Sequence, residues 1–140
     1  MKEMYELMIK QLDNILTNET NTIGNLANAS ALLFQTLPNL NWAGFYLYNS
    51  NNDELILGPF QGKVACMHIP MNRGVCGTSA YTRESMLVED VHAFPGHIAC
   101  DSASNSEIVI PIVIEDVLYG ILDLDAPIKS RFTKEEQLYL

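Results

Sequence analysis

Basic residues are scarce in this chain. Eight Lys and Arg stand against 17 Asp and Glu, a formal net charge of −9. An acidic surface with no Lys/Arg stripe repels phosphate backbones and anionic headgroups, so neither nucleic acid nor a membrane is an expected partner. A small zwitterionic or cationic ligand is compatible with that charge. Long apolar runs are also missing, and none approaches the ~20 residues of a membrane span. The opening stretch MKEMYELMIK carries Glu3 and Glu6 among helix-spaced apolar residues, unlike a secretory leader. The expected location is therefore the cytoplasm. Cysteine occurs three times and tryptophan once. Three thiols in a reducing compartment cannot all pair within the monomer, so no permanent disulfide framework is expected.

What is present is enough for one core. The chain has 140 residues, 48% of them hydrophobic, and no repeat, linker or low-complexity tract divides it. Tyr5, Met8, Leu12, Ile15 and Leu16 fall on one helix face, and Ile23, Leu26, Ala27, Ser30, Leu33, Phe34 and Leu37 predict a second helix that Pro38 stops. The period then changes. NWAGFYLYNS and ELILGPF read as a hairpin about NSNND, VACMHIP as a third strand and MLVED as a short one. NRGVCGTSAYTRES reads as a Gly-punctuated loop running into a short helix with Tyr81. Residues 91–105 read as a long polar loop. SEIVIPIVI and VLYGILDLD follow as two apolar strands joined at Glu115-Asp116, and Thr133 with Glu136 makes a capping box for a closing helix. The expectation is one α+β domain over residues 1–140, with a last helix that is either short or incomplete.

The chemistry concentrates in few residues. Long loops without secondary structure are uncommon and often bind ligands. Cys100 lies in such a loop among Asp101, Ser102 and Asn105, polar groups that suit a reactive thiol better than core filler does. Cys76 sits between Gly74 and Gly77, where backbone can approach other chain closely. Cys66 alternates with Val64 and His68, which places it on a strand face and makes packing its plain reading. Together the three thiols suit thiol–disulfide exchange. No metal is expected: structural zinc favours closely paired ligands, whereas these cysteines and His68, His92 and His97 are scattered. Strand alternation puts Asp123 and Asp125 on one face, and a hairpin about Glu115-Asp116 brings Glu107 to the same end. Strand-end solvation is the ordinary role of such carboxylates. Three beside a loop thiol instead suggest a site that holds a cation or supplies a proton. Trp42 is read as core, or else as the wall of a ligand site.

NWAGFYLY, GPFQGKVACMHIP, RGVCGTSAYTRE, LVEDVHAFPGHIACDSASNSEIVIPI and LYGILDLDAP together resemble the free methionine-(R)-sulfoxide reductases, a branch of the GAF-domain fold. The resemblance runs from about Asn41 to Phe132. It implies a six-stranded antiparallel sheet with helices packed on one face and a homodimer. It also implies Cys100 as nucleophile, Cys66 and Cys76 as the recycling cysteines, either of which could resolve the intermediate, and Glu107, Asp123, Asp125 and Trp42 as substrate-binding residues. The implied reaction reduces free methionine (R)-sulfoxide through a cysteine sulfenic acid and an intramolecular disulfide that thioredoxin recycles, with no cofactor. Two other readings compete: a GAF sensory module that binds a small ligand without catalysis, and a structural or dimerisation domain with incidental cysteines.

Overall fold

The computed structural model describes residues 1–96 and 104–140. Two helices open the chain, α1 (Lys2–Leu16) and α2 (Thr22–Thr36). The α1 stripe buries Tyr5 and Met8. The Asn21 side chain caps α2 by accepting from the Gly24 amide at 2.8 Å, and the helix ends just before Pro38, whose ring would clash with the preceding turn. Ile23, expected on the buried face, is 74% exposed, because α2 buries its later turns, Ala29 to Leu33.

The strands are β1 (Trp42–Asn49), β2 (Glu54–Gly62), β3 (His68–Pro70), β4 (Met86–Val88), β5 (Ser106–Ile114) and β6 (Val117–Ala126). They form one antiparallel sheet in the order β3-β2-β1-β6-β5-β4. Helix α3 (Gly74–Thr82) lies between β3 and β4 in sequence, and α4 (Lys134–Tyr139) closes the chain behind the expected Thr133–Glu136 capping box. The β5–β6 turn comes where expected: Glu115 and Asp116 both adopt left-handed backbone, φ 50° and 64°, as a twisted two-residue hairpin turn requires.

Strand alternation divides the apolar residues into two layers. Ala43, Phe45, Ile108, Leu122 and Leu124 face α1, α2 and the C-terminal segment with Phe132. Trp42, Tyr46, Val109 and Ile121 face the other way, against Val75, Cys76 and Ala80 of α3. The α+β antiparallel architecture is as expected, and α1, α2 and α4 share one face. The short α3 is the exception, and it roofs the opposite face.

Two local expectations need correction. VACMHIP is a strand only from His68: Val64 is 87% exposed, and Cys66 lies in the connection before β3. Two side chains of β1 hold this connection and the residue before it. Trp42 Nε1 donates to Lys63 O at 3.2 Å and the Tyr46 hydroxyl to Cys66 O at 3.0 Å. Cys76 is not in a loop but in the first turn of α3, which begins at Gly74 in left-handed backbone, φ 66°.

Candidate active site

The site is built on the α3 face of β1, β6 and β5. Residues directly opposite in an antiparallel ladder point to the same side. Trp42 pairs with Asp125, which pairs in turn with Glu107. Gly44 pairs with Asp123, which pairs with Val109. Two steps along β1, Tyr46 pairs with Ile121. One patch of sheet thus carries three carboxyl groups beside two aromatic rings. Having no side chain, Gly44 leaves the space beside Asp123 to its neighbours.

Helix α3 sets a thiol over this patch. Gly77 lets the helix approach β3 so closely that a Cβ there would lie 2.4 Å from Pro70 O. That approach lowers Cys76 onto the carboxyls, and its Sγ–H donates to Glu107 Oε2 at 3.5 Å. Cys76, Glu107, Asp123 and Asp125 are all at least nine-tenths buried. None of the ion pairs found among the described residues includes Glu107 or Asp123.

Burial and like charge dominate the electrostatics. Burial foremost, then the fields of Asp125 and Glu107, hold Asp123 well above the usual carboxylate range. That crowding favours the protonated form of Asp123. Burial also pushes the Cys76 thiol well up, with Asp123, Glu107 and Asp125 adding to the effect. Cys76 is therefore a neutral thiol and a weak nucleophile. It is free, whereas Cys66 is disulfide-bonded. Tyr46 is likewise held protonated by burial and the neighbouring negative charge, which keeps its hydroxyl as the donor to Cys66 O.

The wall of the site is aromatic. Trp42 is 2% exposed and stacks on Phe60 at 5.1 Å and on Tyr46 at 5.8 Å between ring centres. The structure thus brings together Cys76, Glu107, Asp123, Asp125 and Trp42 from the sequence-predicted set. Cys66 lies in the connection pinned by Trp42 and Tyr46. Cys100 and His97 fall outside the described residues. His68 is at the sheet edge, with Nδ1 2.9 Å from Glu54 Oε1 on the far side of β2 from the carboxyls, as a hydrogen-bonded edge residue should be. Tyr46 was missed from the sequence. Its signal was the even spacing Trp42, Gly44, Tyr46, which puts all three on one strand face.

Comparison with known proteins agrees with this architecture. Residues 11–140 match the GAF domain family. Protein YtsP of Bacillus subtilis is 52% identical over 97% of this chain and 83% of its own. The free methionine-R-sulfoxide reductase of Escherichia coli is 49% identical over 96% of this chain and 81% of its own. The structure of fRMsr of Staphylococcus aureus in complex with substrate superposes with a TM-score of 0.90 at 49% identity, over 96% of this chain and 87% of that one. With that identity across nearly its whole length, the chain belongs to the GAF domain family, in the branch of the free methionine-R-sulfoxide reductases.

Proposed function

We propose that this protein reduces free methionine (R)-sulfoxide to methionine in the cytoplasm. The observation that carries the reading is the convergence of Glu107, Asp123 and Asp125 beside the Trp42 ring on one buried patch of sheet. Carboxylates there pair with an α-ammonium group, which a free amino acid has and a residue within a peptide lacks. The indole offers an apolar wall to the methyl-sulfinyl end. The Escherichia coli relative named for this reaction and the substrate-bound Staphylococcus aureus structure support the same substrate class.

The chemistry follows from the thiols. Cys100 thiolate attacks the sulfoxide sulfur while a carboxyl among Glu107, Asp123 and Asp125 protonates the oxygen. The oxygen then passes from the substrate sulfur to the Cys100 sulfur as methionine leaves, and Cys100 becomes a sulfenic acid. A second thiol condenses with it, releasing water and forming a disulfide, and thioredoxin returns both sulfurs to thiols by exchange. Cys66 is the better candidate for that second thiol: it is disulfide-bonded, whereas Cys76 keeps its proton against Glu107. The working form is a homodimer, and the reaction uses no cofactor.

The test is turnover with thioredoxin, thioredoxin reductase and NADPH. Wild-type protein should consume NADPH with free methionine (R)-sulfoxide. Cys100→Ser should release no methionine even in a single turnover. Cys66→Ser should release about one equivalent and then stop, as a missing resolving thiol requires. Tight binding without methionine release would instead favour the sensory reading.

A further inference from the structure

We propose that Cys76, Glu107 and Asp123 form a binding site for a thiophilic divalent cation, zinc by its ligand set, which excludes the amino-acid substrate. The three side chains each present a ligand atom, and these atoms all lie within 4.8 Å of one another. The Cys76 Sγ to Glu107 Oε2 separation is 3.5 Å. A tetrahedral zinc with Zn–S of about 2.3 Å and Zn–O of about 2.0 Å spaces sulfur and oxygen by roughly 3.5 Å. The sulfur–oxygen edge of such a site is therefore already present.

A second observation points to a cation independently of that spacing. Asp123 Oδ1 is buried and accepts no hydrogen bond, in a side chain only 4% exposed. A buried acceptor without a donor is uncommon and calls for a partner. The groups around it are a thiol and two further carboxyls, and a divalent ion satisfies all of these together. The ligand set of one sulfur and two oxygens suits zinc or cobalt and disfavours magnesium and calcium, which take oxygen only. Three protein ligands leave a fourth position open, the pattern of an exchangeable ion. Sequence spacing could not show this set, since Cys76 and Glu107 are 31 positions apart and meet only through the approach of α3 to the sheet.

Metal and substrate ammonium would claim the same carboxylates, so the two cannot bind together. That exclusion rests on the reductase reading; the ion site itself does not. Binding replaces the Cys76 S–H bond with a metal–sulfur bond and releases the proton to solvent.

The test uses the full chain, fully reduced, with Co²⁺ as a spectroscopic probe and Zn²⁺ in competition with a chromophoric chelator. One ion per chain should bind, with thiolate-to-cobalt charge-transfer absorption. The band should persist in C66S/C100S, where Cys76 is the sole thiol, and disappear in C76S. Asp123→Asn and Glu107→Gln should each weaken Zn²⁺ binding by at least about tenfold, the scale on which even outer-shell partners act. Circular dichroism checks that each variant is folded. Free methionine (R)-sulfoxide should weaken the apparent affinity in proportion to its concentration. No charge-transfer band in C66S/C100S would overturn the site, as would unchanged affinity in both carboxylate variants. An affinity indifferent to the sulfoxide would overturn the exclusion. Turnover is scored separately in metal-free buffer, so failure of the reductase reading is distinguished from failure of the ion site.

Discussion

At the residue scale, strand register holds a few buried side chains together. Asp125 stands opposite both Trp42 and Glu107, where the amino end of the substrate is expected. Asp125→Asn keeps the size and removes the charge. KM for the free sulfoxide should rise by an amount corresponding to ~1–3 kcal/mol, with kcat changed less, as steady-state kinetics would show. A fall in kcat at constant KM would make Asp125 the proton donor instead. Tyr46→Phe removes the donor to Cys66 O and should lower stability by about 1 kcal/mol in urea titration, since a half-buried carbonyl loses its partner. Much of this was legible in the sequence. Period two alone puts Asp123 and Asp125 on one face, and the Glu115-Asp116 turn brings Glu107 across from them. The place of Cys76 was not legible, because the contact with Glu107 depends on how α3 docks. Nor was that of Cys66: Val64, Cys66 and His68 alternate as a strand would, yet the strand begins only at His68 and the Cys66 carbonyl accepts from the Tyr46 hydroxyl.

At the scale of elements, α3 determines whether the thiol reaches the sheet. Gly77 is the contact point, and backbone oxygen of Pro70 cannot give way to a Cβ at 2.4 Å. Gly77→Ala should therefore push α3 outward and destabilise the protein by about 1–3 kcal/mol, measured as a lower denaturation midpoint. The same shift should raise the reactivity of Cys76 toward iodoacetamide in the native state, because burial is the largest influence suppressing its thiolate. Unchanged stability and unchanged alkylation would remove Gly77 from the account. Most elements could be read from the sequence: the helices from their apolar stripes and caps, the strands from their alternation, the hairpin from its turn. Helix α3 was harder. It is short, and the positions it buries, Gly74, Gly77, Ser79 and Ala80 among them, are mostly small residues that give little hydrophobic periodicity.

At the scale of the whole molecule, the first and last helices are joined through a buried polar cluster. The Tyr5 hydroxyl donates to Glu136, and Arg131 Nη1 donates to the same carboxylate at 3.0 Å while its Nε donates to Pro38 O at 2.9 Å. Burial, followed by the bond to Glu136, raises the Tyr5 pKa far above its ordinary 10.0. The folded state thus keeps this proton when the unfolded chain has lost it. The corresponding stability is present in full below pH 10 and is lost as pH rises above it. Tyr5→Phe should lower stability at neutral pH by about 1–3 kcal/mol and flatten the alkaline fall by up to one proton, as urea midpoints between neutral pH and pH 11 would show. A parallel alkaline limb in the variant would contradict this. Capping could be read from Thr133 and Glu136, but the link from Glu136 to Tyr5 spans 131 positions and no local pattern announces it. The buried patch of three carboxyls beside the Trp42 ring is what suits this protein to the free amino acid. Single-turnover methionine release by the reduced protein tests it most directly, comparing free methionine (R)-sulfoxide, the free S epimer and the N-acetylated R compound. The free R epimer should yield about one equivalent of methionine, with far slower reaction of the other two. Equal rates on the free and acetylated R compounds, or no methionine from either, would contradict it.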